Sequence, residues 1–97
     1  MFIAIVEVDI KPEAVADTVA ALEKDRAAAL SMPGCLAFRS CAINGAPAKI
    51  VLVEEWEDAA SFEAYKASPA FAEAMGTIKP VMAGAPVSRA FNATLVE

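Results

Sequence analysis

The sequence contains no histidine. That removes the commonest metal and haem ligand, and with it the commonest general base. Cysteine is scarce: Cys35 and Cys41 are the only two, and their spacing is not that of a zinc site. If both lie on one strand, six residues hold them about 20 Å apart. A disulfide needs Cα atoms within about 7 Å, so small buried thiols are expected instead of a bridge. Basic residues are also few, with 8 Lys and Arg against 13 Asp and Glu for a net charge of −5. They are scattered singly, which excludes the clustered cation patch that nucleic acid requires. No apolar run is long enough to span a bilayer, so no membrane role is expected. The opening residues lack a charged n-region, which makes a cytoplasmic location the expectation.

Apolar residues, by contrast, are abundant. They make up 58% of the 97 residues, and much of the excess is alanine. The length fits a single domain spanning 1–97, with one modest core. The large apolar residues still outnumber what that core needs. A second buried surface, as in a homodimer, would account for them.

The first strand is Phe2 to Ile10, FIAIVEVDI, bounded by Lys11-Pro12. Its even positions are all apolar, while its odd positions begin with Ile3 and Ile5 and turn acidic at Glu7 and Asp9. It is therefore buried on both faces at its start and on one face at its end. A helix follows from about Glu13 to Met32, with Val15, Val19, Leu22 and Leu30 as its apolar stripe and Arg26 filling the gap. Pro33-Gly34 stops it. Cys35 to Ile43 and Lys49 to Glu57 are strands joined through an Asn44-Gly45 turn. Asp58 caps a short helix, and Ser68-Pro69 breaks it and starts another. Phe71, Met75, Ile78 and Met82 are the stripe of that last helix. Gly84 and Pro86 end it, and Val87 to Val96 is the last strand.

This β-α-β-β-α-β order, with the second helix broken, specifies an α+β chain. It predicts a ferredoxin-like split βαβ sandwich, an antiparallel sheet with its helices on one face. The bare face would carry Ile3, Ile5, Val51 and Val53. Packing two such sheets about a two-fold axis would bury both.

Four segments then stand out together: the opening strand running into Lys11-Pro12-Glu13, MPGCLAFR (Met32–Arg39), VLVEEWEDAASFEAYKASPAF (Val51–Phe71) and the Pro-flanked last strand. In order and spacing they resemble the antibiotic biosynthesis monooxygenase (ABM) domain family over essentially the whole chain. The resemblance implies a dimeric α+β barrel. Its members include cofactor-free oxygenases of quinol or polyphenol substrates, haem-degrading enzymes and proteins acting on small signalling molecules. Trp56 matches a tryptophan that lines the cavity in several oxygenase-type members. Quinone-forming members carry Asn where Leu52 stands and Tyr where Phe62 stands. Many members carry His at the position of Ala70, and the haem-degrading branch places its iron ligand where this chain has Met75. Haem and catalytic metal are accordingly not expected.

Trp56 either lines the pocket or anchors the core with its indole N–H on a carbonyl. Tyr65 either binds a substrate oxygen or sits amphipathically at the rim. Arg39 and Arg89 face the pocket, pair across a dimer or lie on a solvated edge. Glu7, Asp9, Glu54, Glu55 and Glu57 cluster at strand ends. Paired carboxylates could serve as bases or bind a cation, but alternation puts neighbours on opposite faces, so solvated edges are expected. Cys35 and Cys41 are expected on one strand face.

These residues yield two readings of function. The first is a cofactor-independent monooxygenase for a small electron-rich aromatic, with Tyr65 and Trp56 catalytic, Phe38, Phe62, Phe71 and Met75 as walls, and Arg39 as a polar contact. The second is a non-catalytic dimeric module binding a small hydrophobic ligand or a partner. Tyr65 and an arginine aimed into one cavity would favour the enzyme; a pocket without convergent polar groups would favour the module.

Overall fold

The computed structural model describes residues 1–97. Its elements run β1 (Phe2–Asp9), a 3-10 turn (Pro12–Ala14), α1 (Val15–Leu30), β2 (Cys35–Ile43), β3 (Ala46–Trp56), α2 (Ala59–Lys66), α3 (Pro69–Ile78), a second 3-10 turn (Lys79–Val81) and β4 (Val87–Asn92). The sheet is antiparallel throughout, in the order β2-β3-β1-β4. This is the expected ferredoxin-like arrangement. No helix is long and apolar enough to cross a membrane.

Strand alternation assigns the two faces of the sheet. On β3, Ile50, Leu52, Glu54 and Trp56 are buried while the residues between them are only half-buried. The buried set meets the helices in two adjoining clusters. One holds Val8, Ile10, Leu22, Ile50, Leu52 and Ile78. The other holds Ala29, Phe38, Trp56 and Tyr65. The opposite face presents Ile3, Ile5, Val51 and Val53, with Phe91 paired to Ile3 across β4. No helix covers that face.

The caps follow the sequence. Asp58 accepts from Ser61 N at 2.8 Å and opens α2. Ser68 accepts from Phe71 N at 3.3 Å and opens α3, with Pro69 in its first turn. Gly34 has φ +83°, a left-handed conformation that glycine adopts without penalty. A Cβ there would overlap the Ser61 side chain, so the turn into β2 lies directly against the start of α2.

Several boundaries and faces differ from expectation. β3 begins at Ala46 rather than Lys49. The register slips between Ala42 and Ile43, and the resulting bulge admits Pro47, which has no N–H to donate. β4 stops at Asn92 rather than Val96 because its partner β1 runs out: Asn92 pairs with Phe2, the first strand residue, and Ala93 N bonds Met1 O. Leu95 and Val96 are consequently exposed. On α1 the buried residues are Thr18, Leu22 and Ala29, while Val19 and Leu30 are exposed. Small residues let the helix lie close to the sheet, and Arg26 Nε secures it by donating to Phe38 O at 2.8 Å. Met82 lies beyond α3 and bridges Ile10. The two cysteines occupy opposite faces, because a register shift between Cys35 and Ala37 inserts Leu36. Cys35 pairs beside Trp56, and Cys41 pairs with Val51 on the uncovered face, where it is exposed rather than buried.

Candidate functional site

Between the inner sheet face and α2 and α3 lies a cavity of ≈190 Å³. A cavity of about 150 Å³ takes up benzene, so this one has room for a small aromatic. The sheet forms its floor through Val6, Val8, Leu52 and Glu54, and the helices form its roof. It opens beside β4, where Ser88 and Pro86 sit at the rim. Every residue of β4 is exposed. A second recess of ≈220 Å³ shares Val6, Phe62, Lys66 and Ser88 with the first and continues toward Ala90.

Tyr65 comes down from α2 into an aromatic cluster. Its ring stacks on Trp56 at 5.1 Å and meets Phe71 and Phe38 edge-on at 5.5 and 6.0 Å. The residue is buried and lines the cavity, yet its hydroxyl bonds to no group of the chain and is not sealed in. Burial, then the nearby Glu54 carboxylate, push the phenol well above its ordinary pKa. Tyr65 therefore stays protonated and acts as an O–H donor.

Glu54 is the unexpected member of the site. The even register of β3 that buries Ile50, Leu52 and Trp56 carries Glu54 to the inner face as well, where it is 4% exposed. Trp56 Nε1 donates to Glu54 Oε1 at 3.2 Å. The ion pairs of the chain do not include Glu54. Burial pushes the carboxyl up to about 7, against the smaller downward effect of the indole bond. The cavity thus contains a fixed donor and an acid–base group poised at neutral pH, in a lining that is mostly apolar apart from Lys66 and Ser88.

No three His, Cys, Asp or Glu side chains converge as a metal site requires. The family model for antibiotic biosynthesis monooxygenases matches residues 1–77. The chain belongs to this family. Within the ABM fold, β4 and the rim residues Pro86 and Ser88 lie beyond the matched residues.

Among solved structures, a Nitrosomonas europaea protein assigned by name as an antibiotic biosynthesis monooxygenase superposes with a TM-score of 0.91. It is 18% identical, over 98% of this chain and 100% of that one. A Deinococcus radiodurans protein similarly assigned gives 0.90 at 18% identity, covering 100% and 96% of the two chains. A conserved Methanosarcina mazei protein gives 0.89 at 19%, covering 97% and 94%. At such identities the likeness is one of fold. A comparison with curated proteins finds no significant match.

The ABM-type residues named from sequence divide into those at the cavity and those away from it. Phe38, Phe62, Phe71, Met75 and Tyr65 all line it. Leu52 lines it too, apolar where quinone-forming members carry Asn. Trp56 does not reach it: fully buried, it stands behind Tyr65 and Glu54 and supports both. Arg39 is a correction. Its strand register turns it to the uncovered face, where it pairs with Glu55 at 2.8 Å. Arg89 stands at the outer recess with its guanidinium 6.0 Å from the Phe91 ring. Glu54 is the second correction, since it is not on a solvated edge. The signal that finds it is its place two residues before Trp56, on the same face of a central strand.

Proposed function

We propose that the chain is a cofactor-independent monooxygenase for a small electron-rich aromatic of the quinol or polyphenol kind. The reading rests on one observation: an apolar cavity of aromatic size on which Tyr65 and Glu54 converge. Membership of the ABM family supports the reaction class. The substrate's anion would transfer an electron to O₂, and the radical pair would combine at a ring carbon bearing hydrogen. Loss of water from the resulting hydroperoxide gives a quinone. For a phenol the sum is one phenol and one O₂ to one quinone and one water. The ring loses four electrons and O₂ gains four. The protein need only bind the ring, stabilise charge and manage protons. The test is O₂ uptake with a panel of one- and two-ring quinols and phenols, without added flavin or metal. Uptake above the buffer rate, rising with pH as the substrate ionises, is expected. No uptake across the panel would overturn the reading.

A second reading, a module that binds a hydrophobic ligand without turnover, is favoured by Leu52, Phe62 and Met75, which leave the cavity walls apolar. Saturable ligand binding with no O₂ uptake would establish it.

Under either reading we infer a homodimer formed through the uncovered sheet face. Its apolar residues Ile3, Ile5, Val51, Val53 and Phe91 are flanked by the Arg39–Glu55 pair, which lets two copies meet with opposite charges about a two-fold axis. Sedimentation at micromolar concentration should give twice 10.1 kDa, and Val53→Glu should give monomers. A wild-type monomer would remove the inference.

A further inference from the structure

We propose that Glu54 is the proton acceptor of the cavity, that it takes the hydroxyl proton of a neutral hydroxyaromatic, and that Trp56 is the residue that positions it. The proposal rests on the oxygenase reading for its chemistry, but not for the contact itself.

The case begins with an unfavourable burial. A carboxylate in an apolar interior is costly unless a cation or several N–H donors compensate. Glu54 has one compensating contact, the Trp56 indole N–H on Oε1. Across the strands it pairs with Ala4 on β1 and Phe38 on β2, neither of which offers a side-chain donor. The neighbouring inner-face positions on β3 hold Ile50 and Leu52, so a leucine at 54 would continue the core. Oε2 has no bond within the chain, the residue lines the cavity, and no buried polar side-chain atom of the chain lacks a partner. The free oxygen is thus open to a ligand. It is a strong acceptor held in place, in a space sized for an aromatic ring.

The surrounding charges leave this role intact. On β2, burial first and then the nearby Glu54 charge raise the Cys35 thiol. From α2, Tyr65 is raised likewise, and Asp25 of α1 acts on Tyr65 in the same sense. β1 contributes no titratable group opposite Glu54. Lys66 stands at the mouth, bound to Glu63 at 3.0 Å and over the Phe62 ring. Cys35 and Tyr65 are both held in their neutral forms, so neither competes as a base. A base whose pKa lies close to the working pH is the most effective.

The protons balance. Glu54 carboxylate and the phenol give Glu54 carboxylic acid and phenolate. The phenolate reduces O₂, and the peroxide formed at the ring carbon takes the proton back from Glu54. Glu54 then removes the remaining hydrogen of that carbon as a proton. The C–H electron pair becomes part of the new C=O bond, the O–O bond breaks, and the departing hydroxide takes the proton from Glu54 as water.

The first experiment is binding in the absence of O₂, followed by quenching of Trp56, the single tryptophan. 1-Naphthol and its methyl ether are the probes. The wild type should prefer the naphthol by about tenfold or more at pH 8, the worth of a hydrogen bond to a charged acceptor. Glu54→Leu should abolish the preference. Equal binding of the two probes by the wild type, or a preference unchanged in Glu54→Leu, would overturn the proposal. The second experiment is turnover. Glu54→Gln keeps an acceptor for the indole but no base, and should lower kcat by about 10²–10⁴-fold with a smaller change in KM. The deficit should shrink as the pH passes the substrate's own pKa. Its melting temperature at pH 8.5 should be no lower than wild type, because a buried charge has been removed. Activity within twofold of wild type at pH 7 would overturn Glu54 as the base while leaving the oxygenase reading in place. A naphthol preference that Glu54→Leu abolishes, with no O₂ uptake, would keep the contact and reject the oxygenase.

Discussion

Tyr65→Phe should lower turnover of a confirmed substrate by about 10²–10³-fold, the usual cost of removing one hydrogen-bond donor to a developing oxyanion. The variant isolates the hydroxyl. The ring stays stacked on Trp56 and edge-on to Phe38 and Phe71, so the packing is retained. The hydroxyl has no partner in the chain to lose, so the melting temperature should stay close to wild type. Because the phenol is held well above its ordinary pKa, its role is donation of a hydrogen bond rather than loss of a proton. Charge developing on a reduced oxygen beside Tyr65 would meet a fixed donor without water having to reorganise. Steady-state O₂ uptake measures the effect. Full activity in Tyr65→Phe would strip Tyr65 of its role and strengthen the binding-module reading.

The fold was legible because periodicity and punctuation agreed at each step. The Asp58 and Ser68 caps, the Pro33-Gly34 stop and the Asn44-Gly45 turn each satisfy a local backbone need that sequence alone displays. What was not legible depends on register. The boundary of β4 is set by where β1 begins, which β4's own residues do not encode. The bulge at Leu36 reverses the face of Cys35 relative to Cys41, which no count of residues along β2 reveals. The same holds for the site. Glu54 and Glu55 look alike as a pair of strand-end acids, but alternation sends one under the helices and the other to an ion pair with Arg39. Fixing that choice needs an anchor, and Trp56 provides it. A large aromatic entering the core takes every second residue of its strand inward with it, including a carboxylate. The apolar walls Phe38, Phe62, Phe71 and Met75 were readable because aromatic side chains near α2 and α3 have one inner face to fill.

Trp56→Ala should destabilise the chain by about 3–5 kcal/mol, the usual cost of truncating a buried tryptophan. A domain of this size is commonly stable by only 5–15 kcal/mol in all. At about 4–8 °C per kcal/mol, the melting temperature should fall by more than about 10 °C. Three losses combine: the stack on Tyr65 at 5.1 Å, the tilted contact with Phe62 at 6.1 Å, and the indole bond to Glu54 at 3.2 Å. Lost activity in this variant would therefore say little about chemistry. Trp56→Phe separates the effects, since it keeps most of the ring packing and removes the N–H. That bond holds Glu54 lower than burial alone would, so its loss should raise the Glu54 pKa further. The sign then follows. A carboxyl raised in the folded state stabilises the fold while protonated and loses that contribution as the pH climbs through its folded pKa. Trp56→Phe should thus be penalised more at pH 9 than at pH 6, and the alkaline rise of its turnover should move to higher pH. Thermal melts of both variants across that range measure the effect. A Trp56→Ala melt within a few degrees of wild type would show that Trp56 is not the anchor on which Tyr65 and Glu54 depend.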